Sequence, residues 1–320
     1  MHMEPQQTIS IALIGECMVE LQEIEPGRTQ QTFGGDTLNS AVYMARLARF
    51  TPLRIEYVTA LGTDRFSDKM MEFWEAEGVG SDLVVRREGE MPGLYYIQLD
   101  ETGERTFSYW RGEAAAKRCF ESADSDRVLA ALADFDSIYL SGISVAILTE
   151  TSRNRLFTRL KELATAGVRI FFDYNYRPKL WTNIDAAKRA YETILPCCET
   201  VFVGLDELAE IHGVSEEEAG HRFLAECGVG ESVIRCGGGV CTIRRDGTSY
   251  EVPAEKVEQV VDTTAAGDSF SGTYVVARLA GRDVVDSARL AHRMASYVIG
   301  HKGAIAPAGA MPDFSDLKQA

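Results

Sequence analysis

The sequence predicts an α/β protein, with a mainly parallel β-sheet covered by helices on both faces. Two observations support this prediction. Apolar runs of strand length alternate with longer segments of helical periodicity through most of the 320 residues, as parallel strands joined by helices require. A polar turn between two aromatic-rich runs predicts, by contrast, a β-hairpin that stands outside this series.

The first third of the chain supplies two strand–helix units and this hairpin. Each strand is an apolar run, and each helix places apolar side chains three or four residues apart. Asp36 or Thr37 is the predicted N-cap of the first helix, and Gly78 ends the second. The predicted elements are a strand over 9–14, a helix over 36–48, a strand over 55–61, a helix over 66–78 and a hairpin over 94–111.

The remaining two thirds of the chain alternate more regularly. Apolar runs again predict buried strands, and the helices between them show helical spacing, as with Leu156, Leu160 and Leu163. The predicted strands lie at 137–140, 168–172, 200–203 and 232–236, a second hairpin at 241–252, and helices at 149–166, 186–194, 215–227, 266–280 and 284–300.

Composition and charge exclude several functions. A formal net charge of −15 opposes binding to nucleic acid or to an anionic membrane. The longest apolar runs are too short to span a membrane, and we expect no secretory signal. Seven cysteines, an odd number, form neither a disulfide framework nor a zinc motif, which indicates a reduced, cytoplasmic protein. An anionic ligand must therefore be bound by local arginines, backbone amides or a metal ion.

The segment from Asp262 to Asp268 is the most informative part of the sequence. A strand-like run ending at Val261 meets the small residues 264–267, and a long apolar helix follows. Small residues let successive N–H groups point at one site, and the helix N-terminus adds positive charge, so the segment suits phosphate. Asp268 is placed to accept a proton from an attacking alcohol, and its helix position predicts a low pKa. A capped loop without chemistry is the alternative.

This segment resembles the C-terminal signature of the ribokinase-like (PfkB) carbohydrate kinases, Asp-Thr-x-Gly-Ala-Gly-Asp, with Ala265 in place of the first glycine. The early segment 34–39, Gly-Gly-Asp-Thr-Leu-Asn, matches a second feature of that family. The resemblance covers roughly residues 9–310, nearly the whole chain.

The resemblance implies an architecture and a reaction. The implied fold is a ribokinase-like, doubly wound sheet in one kinase domain over 8–315, with a small β lid formed by about 17–33 and 92–112. The implied cofactors are ATP and Mg²⁺, with a monovalent cation as a further candidate. Asp268 is the implied catalytic base, and the residues implied to stabilise the transferring phosphoryl group are Ala265, Ala266 and Gly267.

Polar residues follow the predicted strand over 168–172, where ligands bind in open parallel sheets. Asp173, Asn175 and Arg177 share one side if the segment stays extended, a conformation that Pro178 favours at Arg177. The guanidinium of Arg177 then suits a carboxylate or a phosphate. A surface arginine in a loop is the alternative, although the pattern resembles the family's substrate-side strand end.

The second strand of the first hairpin has an unusual face. Its two-residue period places Arg105, Phe107, Tyr109 and Arg111 on one side, so two arginines bracket two aromatic rings. This face suits a small anionic polyol, and a solvated or dimer-facing strand explains it equally well. The exposed edge of such a hairpin favours a homo-oligomer formed through the lid.

Within the family, three segments resemble the 2-keto-3-deoxygluconate kinases: 15–21, 34–39 and 109–117. This resemblance implies ATP-dependent phosphorylation of the terminal hydroxyl of that sugar acid. The implied substrate-binding residues are Gly34, Gly35, Asp36, Asn39, Tyr95, Tyr109, Arg111, Asp173, Asn175 and Arg177. The alternatives are a PfkB kinase for fructose, ribose or 2-keto-3-deoxygalactonate, and a non-catalytic sugar-acid sensor, which would not need Asp268.

The nucleotide side is less clearly marked. A glycine triplet after the strand over 232–236 matches the family's strand end near the triphosphate, although a tight hairpin also explains it. The implied nucleotide-binding residues are Arg235, Gly237, Gly238, Gly239 and Thr264. Glu207 lies where the family commonly has Asn-x-x-Glu and is a candidate to orient a magnesium-bound water. Because Gly204 replaces the asparagine, a solvated acid at a helix start is an equal interpretation.

Overall fold

The computed structural model describes residues 8–25, 27–99, 105–237 and 239–318. Within these ranges the chain forms two sheets, and the predicted α/β class with helices on both faces is confirmed. The described strands are β1 (Ile9–Ile14), β2 (Met18–Glu25), β3 (Arg28–Gly34), β4 (Leu53–Leu61), β5 (Val84–Arg86), β6 (Leu94–Leu99), β7 (Arg105–Trp110), β8 (Ser137–Ser141), β9 (Arg169–Asp173), β10 (Thr200–Gly204), β11 (Glu231–Cys236), β12 (Val240–Arg245) and β13 (Thr248–Pro253). The described helices are α1 (Asp36–Leu47), α2 (Arg65–Ala76), α3 (Ala123–Ala131), α4 (Gly142–Ile147), α5 (Glu150–Thr165), α6 (Ile184–Ile194), α7 (Leu205–His212), α8 (Glu217–Glu226), α9 (Ala266–Leu279) and α10 (Val284–Ile299).

The larger sheet has the spatial order β13-β12-β11-β10-β9-β8-β1-β4-β5 in the part of the chain that is described. Strands from β11 to β5 pair in parallel, and β12 and β13 add an antiparallel hairpin at one edge. The chain winds from β1 toward β5 and then from β8 toward β13. The sheet is therefore doubly wound, with its switch point between β1 and β8.

Two apolar clusters cover the two faces of this sheet. Alternate residues of β1 divide between them: Ile11 and Leu13 belong to one cluster, Ala12 and Ile14 to the other. Helices α1, α9 and α10 pack in the first cluster, whereas α5 and α6 pack in the second. A parallel sheet buried in this way explains why its strands read as continuous apolar runs.

The smaller sheet has the order β3-β2-β6-β7 among the described residues. Strands β2 and β6 run parallel, and the outer strands pair with them in antiparallel fashion. These strands match the segments predicted for a lid to within two residues. The turn 100–104 of the first hairpin lies outside the described residues.

Several sequence-based expectations were wrong in detail. The strand-like run before Asp262 is a loop, in which the side chains of Val260 and Val261 are 56% and 51% exposed. The N-cap of α1 is Gly35 rather than Asp36 or Thr37. Helices α3, α4 and α7 and strand β5 were not predicted, since each is too short to show a clear period.

No helix within the described ranges has the length and apolar character needed to cross a membrane. All seven cysteines lie in those ranges, and each has a free thiol.

Candidate active site

The candidate site lies at the carboxyl ends of the parallel strands, near the switch point between β1 and β8. Glu16 follows β1, Ser141 ends β8 and Asp173 ends β9. The first turns of α1 and α9 reach the same edge, because Asn39 of α1 contacts Asp268 of α9. Residues from distant parts of the chain therefore converge at one place.

Asp268 is held by two side chains of α1. The Asn39 amide donates to Asp268 Oδ2 at 2.8 Å, and the Ser40 hydroxyl donates to the Asp268 carbonyl at 3.0 Å. Asp268 lies in the first turn of α9, as the sequence predicted. Its carboxylate is thereby fixed in direction while one oxygen remains available to a ligand.

The expectation of a low pKa for Asp268 was wrong. The pKa of Asp268 is raised to about 8, mainly by burial and also by the nearby carboxylates of Asp36 and Asp173, against the lowering effects of Asn39 and Arg177. Desolvation and like charge therefore outweigh the dipole of α9. A carboxylate with a pKa near neutrality is a better proton acceptor than an ordinary one.

Asp36 forms the second carboxylate of the site. It begins α1, and the Asn175 amide donates to its Oδ2 at 2.8 Å. Burial raises the pKa of Asp36, whereas hydrogen bonds from Ser141 and the Thr37 amide lower it. Asp36 and Asp268 are thus two desolvated carboxyl groups, and each disfavours ionisation of the other.

The glycine pair before Asp36 lets three segments approach closely. A Cβ atom at Gly34 would lie 2.2 Å from the hydroxyl oxygen of Tyr95, and one at Gly35 would lie 2.2 Å from the carbonyl oxygen of Glu16. Any larger residue would displace the lid strand or the end of β1. Besides these close approaches, the Gly35 carbonyl accepts a hydrogen bond from the backbone amide of Asn39 at 2.8 Å.

The segment after β9 does not stay extended, so the alternation predicted for residues 173–177 was wrong. Asn175 has a φ of 34°, a left-handed conformation that asparagine tolerates better than most residues. The buried Asp173 instead accepts hydrogen bonds from Arg235 (2.8 Å) and Ser271 (2.7 Å), which occupy both of its oxygens. Asp173 therefore positions Arg235, while Asn175 reaches Asp36 by way of the kink.

Arg177 is an exposed cation at the mouth of the site. Its Nη1 donates to the Tyr176 carbonyl at 2.9 Å. Its positive charge lowers the pKa values of both Asp36 and Asp268, which places the guanidinium within electrostatic range of the carboxyl pair. This location suits the binding of an anionic group next to Asp268.

Arg111 forms an ion pair that the sequence analysis missed. Its Nη2 donates to a carboxylate oxygen of the buried Glu16. The Nε of Arg111 and the second oxygen of Glu16 are buried without a hydrogen-bond partner among the described residues. Glu16 follows β1 just as Asp173 ends β9, so the strand-end rule used for Asp173 would have found it. Arg111 is thus partly neutralised but still has unused donors.

Two tyrosines of the lid stand at different depths. Tyr95 is buried and donates to Glu20, and its ring lies 5.8 Å from that of Tyr109. Tyr109 is 53% exposed and stacks on Phe107 at 6.4 Å. Tyr109 therefore forms an open wall, whereas Tyr95 anchors the base of the lid. The side chain of Arg105 lies outside the described structure.

The nucleotide-side residues surround the N-terminus of α9. Ala265 adopts a φ of 60°, which explains why glycine is usual there. The Ala266 amide already donates to the Thr263 carbonyl at 3.2 Å, so its availability to phosphate was overestimated. The guanidinium of Arg235 lies against Gly267, where a Cβ would be 2.9 Å from its Nη1. A cation and a helix N-terminus thus share one anion-binding position.

The other predicted nucleotide contacts are less direct. The amide and hydroxyl of the exposed Thr264 both donate to Asp262, which stabilises the loop before α9. Gly237 has a φ of 68° and begins the turn between β11 and β12, which continues to Gly239. Gly238 lies outside the described residues.

Glu207, in the first turn of α7, lies between the end of β10 and the segment that follows β9. The Gly204 amide donates to its Oε2 and the Tyr176 amide to its Oε1, each at 2.7 Å. Burial raises the pKa of Glu207, and the positive charge of Arg235 lowers it. Glu207 is therefore not a solvated acid at a helix start, as one interpretation held. Both of its carboxylate oxygens already accept a hydrogen bond from a backbone amide.

Comparisons with known proteins agree with this geometry. Residues 8–310 match the pfkB family carbohydrate kinases. The 2-dehydro-3-deoxygluconokinase of Dickeya dadantii (strain 3937) is 47% identical over 308 residues, covering 95% of this chain and 99% of that protein. The protein of the same name from Escherichia coli (strain K12) is 46% identical over 305 residues, covering 94% and 98%.

A solved structure extends the likeness to three dimensions. The fructokinase from Xylella fastidiosa, crystallised with bound ATP, aligns with a TM-score of 0.80 and 25% identity, and the alignment covers 96% of each chain. The fold, the signature segments and the full-length match agree. The chain belongs to the pfkB family of carbohydrate kinases and is a sugar kinase.

Proposed function

We propose that this protein transfers the γ-phosphoryl group of ATP to the terminal hydroxyl of 2-dehydro-3-deoxy-D-gluconate, also called 2-keto-3-deoxygluconate, giving the 6-phosphate. The observation that carries the proposal is Asp268, a carboxylate fixed by Asn39 beside an anion-binding helix N-terminus, with a pKa of about 8. The full-length likeness to the two 2-dehydro-3-deoxygluconokinases supports this choice of sugar acid.

The carboxylate of the substrate is expected to bind near Arg177 and Arg111. The net charge of −15 disfavours anions in general, so local guanidinium groups must compensate for it. Arg177 is exposed at the mouth of the site, and Arg111 has unused donors despite its pairing with Glu16. Each of the Asn39 and Asn175 amides donates one N–H to a carboxylate of the site, and the second N–H of each is proposed to bind a sugar hydroxyl.

The chemical step follows from this arrangement. The oxygen of the terminal hydroxyl forms a bond to the γ-phosphorus of ATP as the bond from phosphorus to the β–γ bridging oxygen breaks, which releases ADP. The hydroxyl proton moves to Asp268. The amides of Ala265 and Gly267 and the guanidinium of Arg235 are proposed to stabilise charge on the transferring group.

Magnesium, which kinases commonly use with ATP, has no evident protein cage here. Among the described residues, no three acidic, histidine or cysteine side chains are grouped to hold a metal ion. Glu207 is occupied by two backbone amides, and Asp173 by Arg235 and Ser271. This donor set does not fit a protein-held ion. It suits an ion bound mainly by nucleotide phosphates and water.

We further propose that the lid closes over the sugar and excludes water, which would otherwise attack ATP. Tyr109 and Phe107 are 53% and 42% exposed, so closure would bury apolar surface. Trp110, 61% exposed, points to the opposite face of β7 by alternation and is the proposed contact of a homodimer. Light scattering of the wild type and of Trp110→Ser tests that contact, and two monomeric proteins would contradict it.

A coupled assay of ADP release across sugars and sugar acids tests the proposed function. The panel contains 2-dehydro-3-deoxygluconate, its galactonate epimer, fructose and ribose. We expect the highest kcat/KM for 2-dehydro-3-deoxygluconate. A preference for fructose or ribose would overturn the choice of substrate, and absence of ADP release with every compound would favour a sensor.

A further inference from the structure

We infer that Glu207 is a positioning residue for sugar-acid binding, because its carboxylate fixes the left-handed turn that aims Asn175 and Arg177 at the site. The inference rests on the proposed function for the identity of the ligand. It assigns to Glu207 a role toward the sugar in place of the role toward a magnesium-bound water that the sequence suggested.

The first step is the position of the Glu207 carboxylate between two strand ends. It accepts one hydrogen bond from Gly204, at the end of β10, and one from Tyr176, in the segment after β9. Both bonds are 2.7 Å long, and both donors are backbone amides. Hydrogen bonds to an ionised acceptor are stronger than neutral ones, so the carboxylate ties the segment after β9 firmly to the sheet edge.

The second step is the strained conformation that this tie maintains. Asn175 has a φ of 34°, a left-handed conformation that non-glycine residues seldom adopt, although asparagine adopts it more readily than most. The residue is held on both sides: Tyr191 donates to the Tyr174 carbonyl at 2.9 Å, and Glu207 accepts from the Tyr176 amide. Loss of either bond would allow the segment to relax toward the extended conformation.

The third step connects the turn to the ligand. In its left-handed conformation Asn175 donates to Asp36 at 2.8 Å, and Arg177 lies close enough to lower the pKa values of Asp36 and Asp268. Relaxation of the turn would move the Asn175 amide away from Asp36 and turn Arg177 from the site. Sugar-acid affinity would fall without any direct contact between Glu207 and the sugar.

A binding measurement without metal separates the two roles. Calorimetric titration of 2-dehydro-3-deoxygluconate into nucleotide-free protein in EDTA removes any contribution from magnesium. We expect Glu207→Gln, which keeps one acceptor and loses the other, to weaken binding at least tenfold. Glu210→Gln, an exposed acid on the same helix, is the matched control and should bind like the wild type. Equal binding by wild type and Glu207→Gln, with a raised Mg²⁺ requirement in the variant, would overturn the inference.

Hydrogen exchange in the absence of sugar tests the hydrogen bond from the Tyr176 amide to Glu207 directly. The Tyr176 amide should exchange faster in Glu207→Gln than in the wild type, and unchanged protection would contradict the inference whatever the substrate is. Asn175→Gly offers a second variant, since glycine accepts the same φ but lacks the amide. It should keep the Tyr176 amide protected and still bind the sugar acid more weakly, and wild-type affinity would count against the inference. A wild type that binds no sugar acid while the exchange result holds would instead locate the failure in the proposed substrate.

Discussion

The two halves of the active site differ in how far they are assembled before any ligand binds. On the sheet side, Asn39 contacts Asp268, and Asn175 contacts Asp36, each through a 2.8 Å hydrogen bond between distant elements. On the lid side, Tyr109 is 53% exposed and faces an open space. Preorganised groups lower the barrier of the chemical step. A lid that closes only when the sugar is bound allows the reaction to proceed only on that complex. This difference fits the proposal that the chemistry is built into the sheet edge and that the lid completes sugar recognition.

The three arginines repeat this contrast. Arg235 on the sheet side is paired with the buried Asp173 at 2.8 Å, and Arg111 at the end of the lid is paired with the buried Glu16. Arg177 is exposed and donates to a backbone carbonyl. A guanidinium with a carboxylate partner has less charge to offer a second anion. Arg177 should therefore contribute most to the charge recognition of the substrate.

The largest expected effect lies on the sheet side. Asp268→Asn keeps the shape and the contact with Asn39 but removes the proton acceptor, so we expect kcat to fall roughly 10²–10⁴-fold with little change in sugar affinity. Steady-state kinetics and calorimetry on the same preparation measure both quantities. Near-normal turnover would exclude Asp268 as the base.

The second prediction compares the roles of Arg177 and Arg111 in substrate binding and in stability. Arg177→Met and Arg111→Met should lower kcat/KM for the sugar acid by roughly 30- to 1,000-fold, about 2–4 kcal/mol, with the larger loss for Arg177→Met, and affect a neutral ketose much less. Only Arg111→Met should also lower the melting temperature clearly, because it leaves Glu16 buried and unpaired. Arg289→Met, which removes an exposed surface arginine, is the control for both. Equal melting temperatures for the Arg111 and Arg177 variants would contradict the contrast.

The lid should show a smaller effect. Tyr109→Gly removes the wall and loosens closure, so ATP hydrolysis should rise a few-fold relative to sugar phosphorylation. Hydrogen exchange over 94–99 and 105–111 should slow in the wild type when the sugar acid and a non-hydrolysable nucleotide are both bound. If exchange is unaffected by both ligands, the lid is a fixed sheet and Tyr109 has no role in closure.

A stability profile tests the raised pKa of Asp268. Because its folded-state pKa of about 8 lies above the ordinary value of about 3.9, the folded protein binds the proton more tightly, and this stabilisation is lost as pH rises between these values. Asp268→Asn does not titrate, so its melting temperature should match the wild type near pH 4 and exceed it by a few degrees near pH 9. A difference that is independent of pH would mean that the pKa is unshifted. The wild-type kcat/KM for the sugar acid, measured at one fixed ATP concentration, should rise with pH and level off above about 8.

The smallest effect concerns Ala265. A left-handed conformation costs a non-glycine residue about 1 kcal/mol, and glycine would regain that energy while losing a similar amount through its more flexible unfolded state. Ala265→Gly should change the melting temperature by less than about 3 °C and kcat by less than twofold. A large loss of activity would indicate that the alanine methyl group contacts a substrate.

Local signals in the sequence predicted much of the molecule. The strand–helix alternation predicted the class, and the two glycine-containing motifs predicted that Asn39 and Asp268 would belong to one site, which the 2.8 Å contact between them supports. Both motifs are short and self-contained. Their chemistry depends on neighbours along the chain, which a sequence displays directly.

The features that were missed depend on partners far away in the sequence. Arg111 and Glu16 are separated by 95 positions, so neither residue alone indicates the pair. The pKa of Asp268 is raised by burial and by Asp36, which belongs to a different helix. The kink at Asn175 was missed because Pro178 restricts only Arg177, which is indeed extended with a φ of −130°, and no local signal marks the left-handed turn two residues earlier.

An internal competition tests the central claim most directly. The wild-type protein receives equal concentrations of 2-dehydro-3-deoxygluconate and fructose with limiting ATP, and ³¹P NMR identifies the products, whose ratio equals the ratio of the two kcat/KM values. We predict that nearly all of the phosphate is found as a monoester on the terminal carbon of the sugar acid. Fructose phosphate as the main product, or inorganic phosphate alone, would contradict the account of a sheet edge built for phosphoryl transfer and a lid that selects a sugar acid.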